Sequence, residues 1–431
     1  MGDTHRGPRI YNLFPTLAGR CKEWNPHIER ASAMGFNWVF INPFHTVGSS
    51  KSLYAIKDYY SYNPLLFSAK NTAGQEKELR ETINNAGKSG VNLIADLVIN
   101  HTSIQSPLIK KHPQWYKRDE DGKLVNPGAM DNGKMHYWRD LATVDNSGSK
   151  DKIALWGYWR DLLRHYLSLG FRGFRCDAAY QVSSDLWAYL IEETKKVDPS
   201  VKFFAETLGC SIEQTLDVAA SGFDYIYNSG KWWDFQQNWF LEQHQKTQPK
   251  VGSITFPESH DTGRLAKETN NDINVAKMRY AFSALATTGV MIPIGFEYGF
   301  RKGLNVKKTS STDWEKGAYD LCDYIKKVNQ IKEDYEIFNQ ETRLERIDVD
   351  NPSVLVLCKH SSRNSSKAYL IINKDKKKEH TVMWDQNGQG KLEQDTFQDL
   401  LPEESPRSLR CTCSSDHLII NKSQVKIFYQ G

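Results

Sequence analysis

The stretch VNLIADLVINH, residues 91–101, combines an unbroken apolar run with polar side chains at Asp96, Asn100 and His101. A strand with one face in water alternates apolar and polar residues, whereas continuous apolarity is typical of a strand buried on both faces. In parallel sheets, functional side chains gather at the carboxyl ends of such strands. The segment therefore predicts a buried parallel strand and one part of a functional site.

Seven further apolar runs accompany this strand, and most are separated by helical stretches: residues 10–15, 38–43, 171–177, 201–207, 223–228, 253–258 and 289–294. Strands that alternate with helices indicate parallel pairing with helical crossovers. Eight such strands are the number that closes a (β/α)8 barrel. The sequence thus predicts an α/β fold, a TIM barrel formed by residues 1–100 and 155–338.

Two segments depart from this alternation. Residues 101–154 form a polar insertion with Pro and Gly that is too long for a structureless loop, so we expect a small excursion domain after the third strand. Residues 339–431 contain short strands with turn signals such as QNGQG, which predict a C-terminal antiparallel β-sandwich. The charged run KDKKKEH, residues 374–380, is interpreted as a solvated turn.

Composition excludes several classes of function. The formal net charge of the 431 residues is only +4, and the basic residues are scattered, which argues against a nucleic-acid partner. Neither a membrane-spanning apolar stretch nor the apolar core of a secretion signal is present in the sequence. Seven cysteines, with Cys411 and Cys413 in a strand-like spacing rather than a metal motif, favour reduced thiols and a cytoplasmic location. The oligomeric state is left open.

Three carboxylates follow three different strands: Asp177, Glu206 and Asp261. Adjacent strands lie about 4.8 Å apart, so the first two carboxyl groups are expected roughly 5 Å apart, the spacing of a retaining glycosidase pair. Arg175 shares a strand face with Asp177 and can keep it ionised. The apolar residues before Glu206 would raise its pKa and keep it protonated.

Six motifs, in order, resemble the short sequence regions of the alpha-amylase superfamily. They are YAIKDYY (residues 54–60), DLVINH (96–101), GFRCDAA (173–179), FFAET (203–207), PESHD (257–261) and GVMIPIGFEYG (289–299). The resemblance extends from about residue 10 to residue 335. It implies an enzyme that acts on α-1,4-glucans or maltooligosaccharides.

The resemblance also implies roles for individual residues. Asp177 would be the nucleophile, Glu206 the acid/base, and Asp261 the third carboxylate, which binds and distorts the sugar. The residues expected to hold the same sugar are Tyr54, by stacking, and His101, Arg175 and His260.

Asp96 and Asn100 are interpreted as structural support, the former through an ion pair with Arg175. In many superfamily members the residue at the position of Asn100 helps to bind calcium. The acidic residues of the insertion have no calcium-loop spacing, so calcium is not supported and no cofactor is required. We therefore expect no metal among the site residues.

The carboxylates do not specify the acceptor, which could be water, a sugar or phosphate. The first choice is an amylase-type hydrolase or transglycosidase. A rival is a maltosyltransferase that uses α-maltose 1-phosphate, because HPQWYKRDEDG (residues 112–122) resembles a segment of those enzymes; against it, the chain starts almost directly at the first strand. An inactive binding scaffold is disfavoured, since all three carboxylates are present. The aromatic run KWWDFQQNWF (residues 231–240) either packs on the barrel or stacks on sugar.

Overall fold

The computed structural model describes residues 6–131, 134–383, 397–401 and 417–431. Eight parallel strands form a closed barrel in the order β1-β8-β7-β6-β5-β4-β3-β2. Their bounds are β1 (Arg9–Leu13), β2 (Trp38–Ile41), β3 (Asn92–Leu97), β4 (Gly173–Cys176), β5 (Lys202–Ala205), β6 (Tyr225–Tyr227), β7 (Gly252–Thr255) and β8 (Gly289–Pro293). Each strand overlaps the apolar run that predicted it, so the TIM barrel is confirmed.

Within the described part of the chain, eight helices have at least eight residues. They are α1 (Trp24–Ala33), α2 (Thr72–Lys88), α3 (Lys152–Leu169), α4 (Ser184–Val197), α5 (Ile212–Ala219), α6 (Trp239–Thr247), α7 (Ile273–Ala286) and α8 (Cys322–Asp334). Asn71 caps α2 by accepting a hydrogen bond from the Gly74 N–H at 2.7 Å. Gly170 ends α3 with φ 114°, a conformation that favours glycine. None of the described helices combines the length and apolarity needed to traverse a bilayer.

The barrel strands separate two apolar cores. Ile94, Phe204 and Ile254 belong to a cluster that fills the barrel interior. Their neighbours along the strands, such as Ala95 and Phe203, belong to a larger cluster that also contains helix residues. Because alternate side chains of a strand point to opposite faces, both faces need apolar residues. This explains the continuous apolar runs of the sequence.

Two excursions leave the barrel at the carboxyl ends of its strands. After β2 the chain forms an antiparallel pair, His45–Val47 with Ile56–Tyr62. After β3 the strand His101–Ser103 pairs with Leu141–Thr143, and Gly128–Asp131 pairs with Lys134–Tyr137. The insertion after β3 thus has strands of its own, and its boundaries at residues 101 and 154 stay a prediction.

The C-terminal segment is antiparallel, as expected. Its strands are β9 (Leu344–Ile347), β10 (Val354–His360), β11 (Lys367–Asn373), β12 (His380–Met383), β13 (Phe397–Asp399), β14 (His417–Ile420) and β15 (Val425–Gln430). They form a five-stranded sheet, β9-β10-β11-β15-β13, and a two-stranded sheet, β12-β14. The short strand β13 was not predicted. The QNGQG turn, Cys411 and Cys413 lie outside the described residues.

The five-stranded sheet packs on both of its faces. Val356 contributes to a small cluster shared with Val382 of the two-stranded sheet. Leu357 points to the opposite face and joins the core shared with the barrel helices. The buried Lys359 donates from Nζ to the carbonyl oxygen of Ala286, at the end of α7, at 2.9 Å. The barrel and the β-sandwich therefore share one continuous core.

Candidate active site

The strand register sets the floor of the site. Arg175 of β4 lies directly beside Asp96 of β3. Ile94 and Phe204 point into the barrel, so the residues two positions further along, Asp96 and Glu206, occupy the next inward positions. The carboxyl ends of three adjacent strands thus bring their polar side chains above the inner core.

Arg175 holds three carboxylates. Its Nη1 donates to Asp96 Oδ1 at 3.0 Å and to Asp177 Oδ1 at 2.7 Å, and its Nη2 lies 3.9 Å from Glu206 Oε2. The side chains of Arg175 and Asp96 are buried, whereas 14% of Asp177 and 13% of Glu206 remain exposed. Asp177 and Glu206 are therefore both accessible and both in contact with one guanidinium group.

Glu206 is held by two backbone donors. The N–H of Ala178 donates to its Oε2 at 2.9 Å, and the N–H of Leu208 donates to its Oε1 at 2.6 Å. Burial raises the pKa of Glu206 to about 7; Arg175 acts in the opposite direction and the charge of Asp177 adds to the rise. Such a group carries a proton near neutral pH, as a general acid requires.

Ala178, directly after Asp177, has a left-handed backbone with φ 40° and ψ 52°. This conformation costs an L-residue roughly 1–2 kcal/mol. It also aims the Ala178 N–H at the Glu206 carboxylate. The backbone strain thus lies at the contact between the two candidate catalytic residues.

Tyr54 forms a wall of the site. Its hydroxyl donates to Asp96 Oδ2 at 2.7 Å, accepts from Asn42 Nδ2 at 3.0 Å, and lies 2.8 Å from His260 Nε2. The rings of Tyr54 and His260 are nearly parallel, with centroids 5.9 Å apart. Burial raises the pKa of Asp96 to about 6, with Arg175 acting against the rise.

Asp261 and two histidines face the same space. Asp261 Oδ2 lies 3.0 Å from His260 Nε2, and its side chain is 53% exposed. Desolvation acts to raise the pKa of Asp261, but His260 and Arg175 hold it below its ordinary value. His101 Nε2 contacts the carbonyl oxygen of Tyr54 at 3.1 Å. Among the described atoms, Nδ1 of both histidines is buried without a hydrogen-bond partner.

Asn100 points away from this network. Its Nδ2 donates to Gln181 Oε1 at 3.1 Å, and its Oδ1 is buried without a partner among the described atoms. Calcium takes six to eight oxygen ligands, usually including carboxylates. In the described part of the chain no three His, Cys, Asp or Glu side chains are grouped to hold a metal ion. The described residues thus add no support for calcium at Asn100.

Sequence reasoning missed several supporting groups. Asn12 at the end of β1 donates from Nδ2 to Asn42 Oδ1 at 2.9 Å, and Asn42 in turn binds Tyr54. Both asparagines interrupt apolar runs, a signal that could have identified them. The backbone donors of Ala178 and Leu208 leave no comparable trace in the sequence, because any residue supplies an N–H.

A buried ion pair braces the loop that carries His260 and Asp261. Arg264 Nη1 donates to Glu258 Oε1 at 2.8 Å, and its Nη2 donates to the carbonyl oxygen of Ile294 at 2.9 Å. Because Ile294 follows β8, the pair joins the loops after β7 and β8. This brace was not predicted either.

The aromatic run after β6 divides into two parts. Trp233 is fully buried and stacks on Phe240, with ring centroids 4.8 Å apart. Trp232 is 52% exposed and meets the ring of Phe256 edge-on, with centroids 6.2 Å apart. Four of the five aromatic residues of the run are buried or half-buried against the core, and only the indole of Trp232 is exposed.

The chain is similar in sequence to several known proteins. The family model described as the glucanotransferase domain of glycogen debranching enzyme matches residues 8–121. An alpha-1,4-glucan:maltose-1-phosphate maltosyltransferase of Burkholderia pseudomallei is 26% identical over 337 residues, which are 75% of this chain and 29% of the relative. Its counterpart in Myxococcus xanthus is 22% identical over 403 residues, 85% of this chain and 58% of the relative. The chain thus spans less than two thirds of these relatives.

Solved structures of other proteins have the same fold. An alpha-amylase from Lactobacillus plantarum has a TM-score of 0.78 at 19% identity, with 99% of each chain covered. The alpha-amylase of Geobacillus thermoleovorans, complexed with acarbose, has a TM-score of 0.75 at 15% identity, with 98% of each chain covered. The chain thus has the fold of the alpha-amylases and resembles the alpha-amylase superfamily in its motifs and relatives. Among its relatives it has a likeness to the maltosyltransferases.

Proposed function

We propose that the protein is a retaining α-glycosidase or transglycosidase that acts on α-1,4-glucans or maltooligosaccharides. One observation carries the proposal: a single guanidinium group, that of Arg175, contacts both Asp177 and Glu206. Retaining enzymes need their two carboxyl groups about 5–5.5 Å apart, whereas inverting enzymes keep them wider to admit a water molecule. Because one guanidinium group contacts both carboxylates, we expect the two carboxyl groups to have the shorter separation, that of a retaining enzyme.

The proposed reaction is a double displacement. A carboxylate oxygen of Asp177 attacks the anomeric carbon, the glycosidic bond breaks, and the proton of Glu206 passes to the leaving oxygen. The hydroxyl of an acceptor then attacks the same carbon, releases Asp177 and returns a proton to Glu206. The raised pKa of Glu206 supports its role as the proton donor.

The same sugar would be held by the other residues of the site. His101 and His260 lie next to Tyr54, with His260 Nε2 also 3.0 Å from the exposed Asp261, and this position supports their proposed contact with the sugar. The exposed carboxylate of Asp261 faces the open side and can accept two hydroxyls. Tyr54 supplies an aromatic face beside them, which suits an apolar sugar face.

A maltosyltransferase that uses α-maltose 1-phosphate is the second candidate. The names of the two curated relatives support it. In this candidate the glycosyl donor is a sugar phosphate and the acceptor is a glucan, while Asp177 and Glu206 keep the roles proposed above. We also propose a cytoplasmic location, for which the five free cysteines among the described residues are the support.

Product analysis tests the proposal. Maltoheptaose is incubated with the enzyme alone, with maltose and with phosphate, and a further reaction contains α-maltose 1-phosphate; short sugars, longer sugars and sugar phosphates are then separated. With α-maltosyl fluoride, whose leaving group needs no proton, Glu206→Gln should accumulate a glycosyl adduct on Asp177, visible by mass spectrometry. Normal turnover of maltoheptaose by Glu206→Gln would contradict the assignment.

A further inference from the structure

Three loops meet at one side of the barrel mouth. The N–H of Leu53, after β2, donates to the carbonyl oxygen of Val306, after β8, at 3.0 Å. Lys307 Nζ, also after β8, lies 3.2 Å from Asp140 Oδ2 of the insertion that follows β3. We call these two contacts, Leu53–Val306 and Lys307–Asp140, the mouth bridge.

The β8 side of the mouth bridge is a built turn. The side-chain Oδ1 of Asn305 accepts from the N–H groups of Lys307 and Lys308 at 3.0 and 3.1 Å. Thr309 closes the turn, because its hydroxyl accepts from the Asn305 N–H at 2.8 Å. Leu53, on the opposite side, is 1% exposed. The bridge is therefore fixed by the Lys307–Asp140 ion pair together with backbone and side-chain contacts.

The mouth bridge stands behind the candidate sugar site. Leu53 directly precedes Tyr54, whose hydroxyl binds Asp96. The backbone carbonyl of Tyr54 contacts His101. Consecutive Cα atoms lie about 3.8 Å apart, so the bridge residue Leu53 is next to the Tyr54 wall of the site.

The barrel order places the mouth bridge opposite Glu206. In the closed order, β1 is four strands from β5 in both directions, and β2 and β8 flank β1. Glu206, at the end of β5, protonates the leaving oxygen, so the leaving part of the substrate lies on its side. The glycosyl part that stays on Asp177 must extend the other way, toward the loops after β2 and β8.

We infer that the mouth bridge closes the donor end of the site and makes the enzyme exo-acting: it takes a short glycosyl unit from the non-reducing end of an α-glucan. This inference rests on the proposed function and specifies its substrate. A bulky group on the non-reducing terminus collides with the bridge, whereas the reducing side of the chain is unrestricted.

Two forms of one oligosaccharide test this inference. Maltoheptaose and maltoheptaose whose non-reducing 4- and 6-hydroxyls carry an ethylidene cap are incubated separately, and all products are identified by mass spectrometry. We expect the capped sugar to react at least about 100-fold more slowly. Equal rates would overturn the inference and leave the proposed function intact. Failure of every glycosyl donor, including α-maltosyl fluoride, would overturn both.

Variants test whether the mouth bridge is the cause. Lys307→Ala with Asp140→Ala removes its ion pair, and the rate on the capped sugar should rise at least about threefold relative to the uncapped sugar. Asp121→Ala is the matched control, because Asp121 pairs with Lys123 at 3.1 Å in the same insertion and both side chains are 74% exposed. An unchanged ratio in the double variant, or an equal rise in the control, would contradict the assigned role.

Discussion

Arg175 Nη1 lies 2.7 Å from Oδ1 of Asp177, the residue that directly follows β4, while it also donates to Asp96 on the neighbouring strand. One nitrogen thus fixes the position of the candidate nucleophile relative to the barrel. A buried cation with several carboxylate partners is hard to replace, because removal of one partner leaves the others desolvated.

Arg175→Lys should therefore impair catalysis more than folding. A lysine keeps the charge but lacks the planar fork that reaches three carboxylates. We expect kcat/KM to fall by roughly 100-fold, measured with α-maltosyl fluoride. Arg172→Lys serves as control, since Arg172 is 44% exposed and lies 3.8 Å from Asp198. A near-normal rate in Arg175→Lys would show that the guanidinium geometry is dispensable.

The pH profile should report Glu206. A raised carboxyl pKa means that the protonated acid is present below that value and is lost as the pH rises through it. With the pKa raised to about 7 by burial, kcat/KM for maltoheptaose should fall about tenfold per pH unit above that point. With α-maltosyl fluoride, whose leaving group needs no proton, the rate of the glycosylation step should not fall at high pH. The same fall in rate at high pH with both substrates would mean that a group other than Glu206 causes it.

Ala178 should tolerate glycine but not valine. Glycine adopts a positive φ without penalty, so Ala178→Gly should change the free energy of unfolding by no more than about 1 kcal/mol. A β-branched residue at φ 40° should cost about 1–3 kcal/mol and displace the N–H that binds Glu206. Denaturant titration measures the stability of the two variants, and a kinetic assay measures their kcat. Equal stability and equal kcat would show that the left-handed conformation of Ala178 is unimportant.

The adjacent tryptophans should separate stability from binding. Trp233→Ala empties a fully buried, stacked position and should cost about 3–5 kcal/mol. Trp232→Ala should alter stability by no more than about 0.5 kcal/mol but raise the acceptor KM for transfer to maltose, since the exposed indole can stack on a sugar. An unchanged acceptor KM would leave Trp232 as a surface residue without a binding role.

The eight barrel strands were predictable because their signal is repeated burial. Ile94 fills the barrel while Ala95 packs under the helices, and only apolar residues satisfy both sides. The closeness of Asp96, Arg175 and Asp177 could be predicted because all three lie at or just after the carboxyl ends of neighbouring strands. Arg175 and Asp177 are also two residues apart and therefore point to the same side. The strand β13 has three residues, too few for a periodic signal.

Other parts of the site depend on three-dimensional contacts that no local pattern encodes. The mouth bridge joins residues 53 and 140 to residues 306 and 307, a pairing that only the closed barrel brings about. Trp232 and Trp233 are adjacent in sequence, and only their packing reveals which one is buried.

The five-stranded C-terminal sheet shares its core with the barrel. Leu357 packs into the barrel-side core, and Lys359 donates to the carbonyl oxygen of Ala286, the last residue of α7. A chain cut at residue 338 would leave that apolar surface and that carbonyl in water. Barrel and sheet should consequently unfold as one cooperative unit, and by thermodynamic linkage a sugar held at the mouth should protect the distant carboxyl-terminal strands against unfolding.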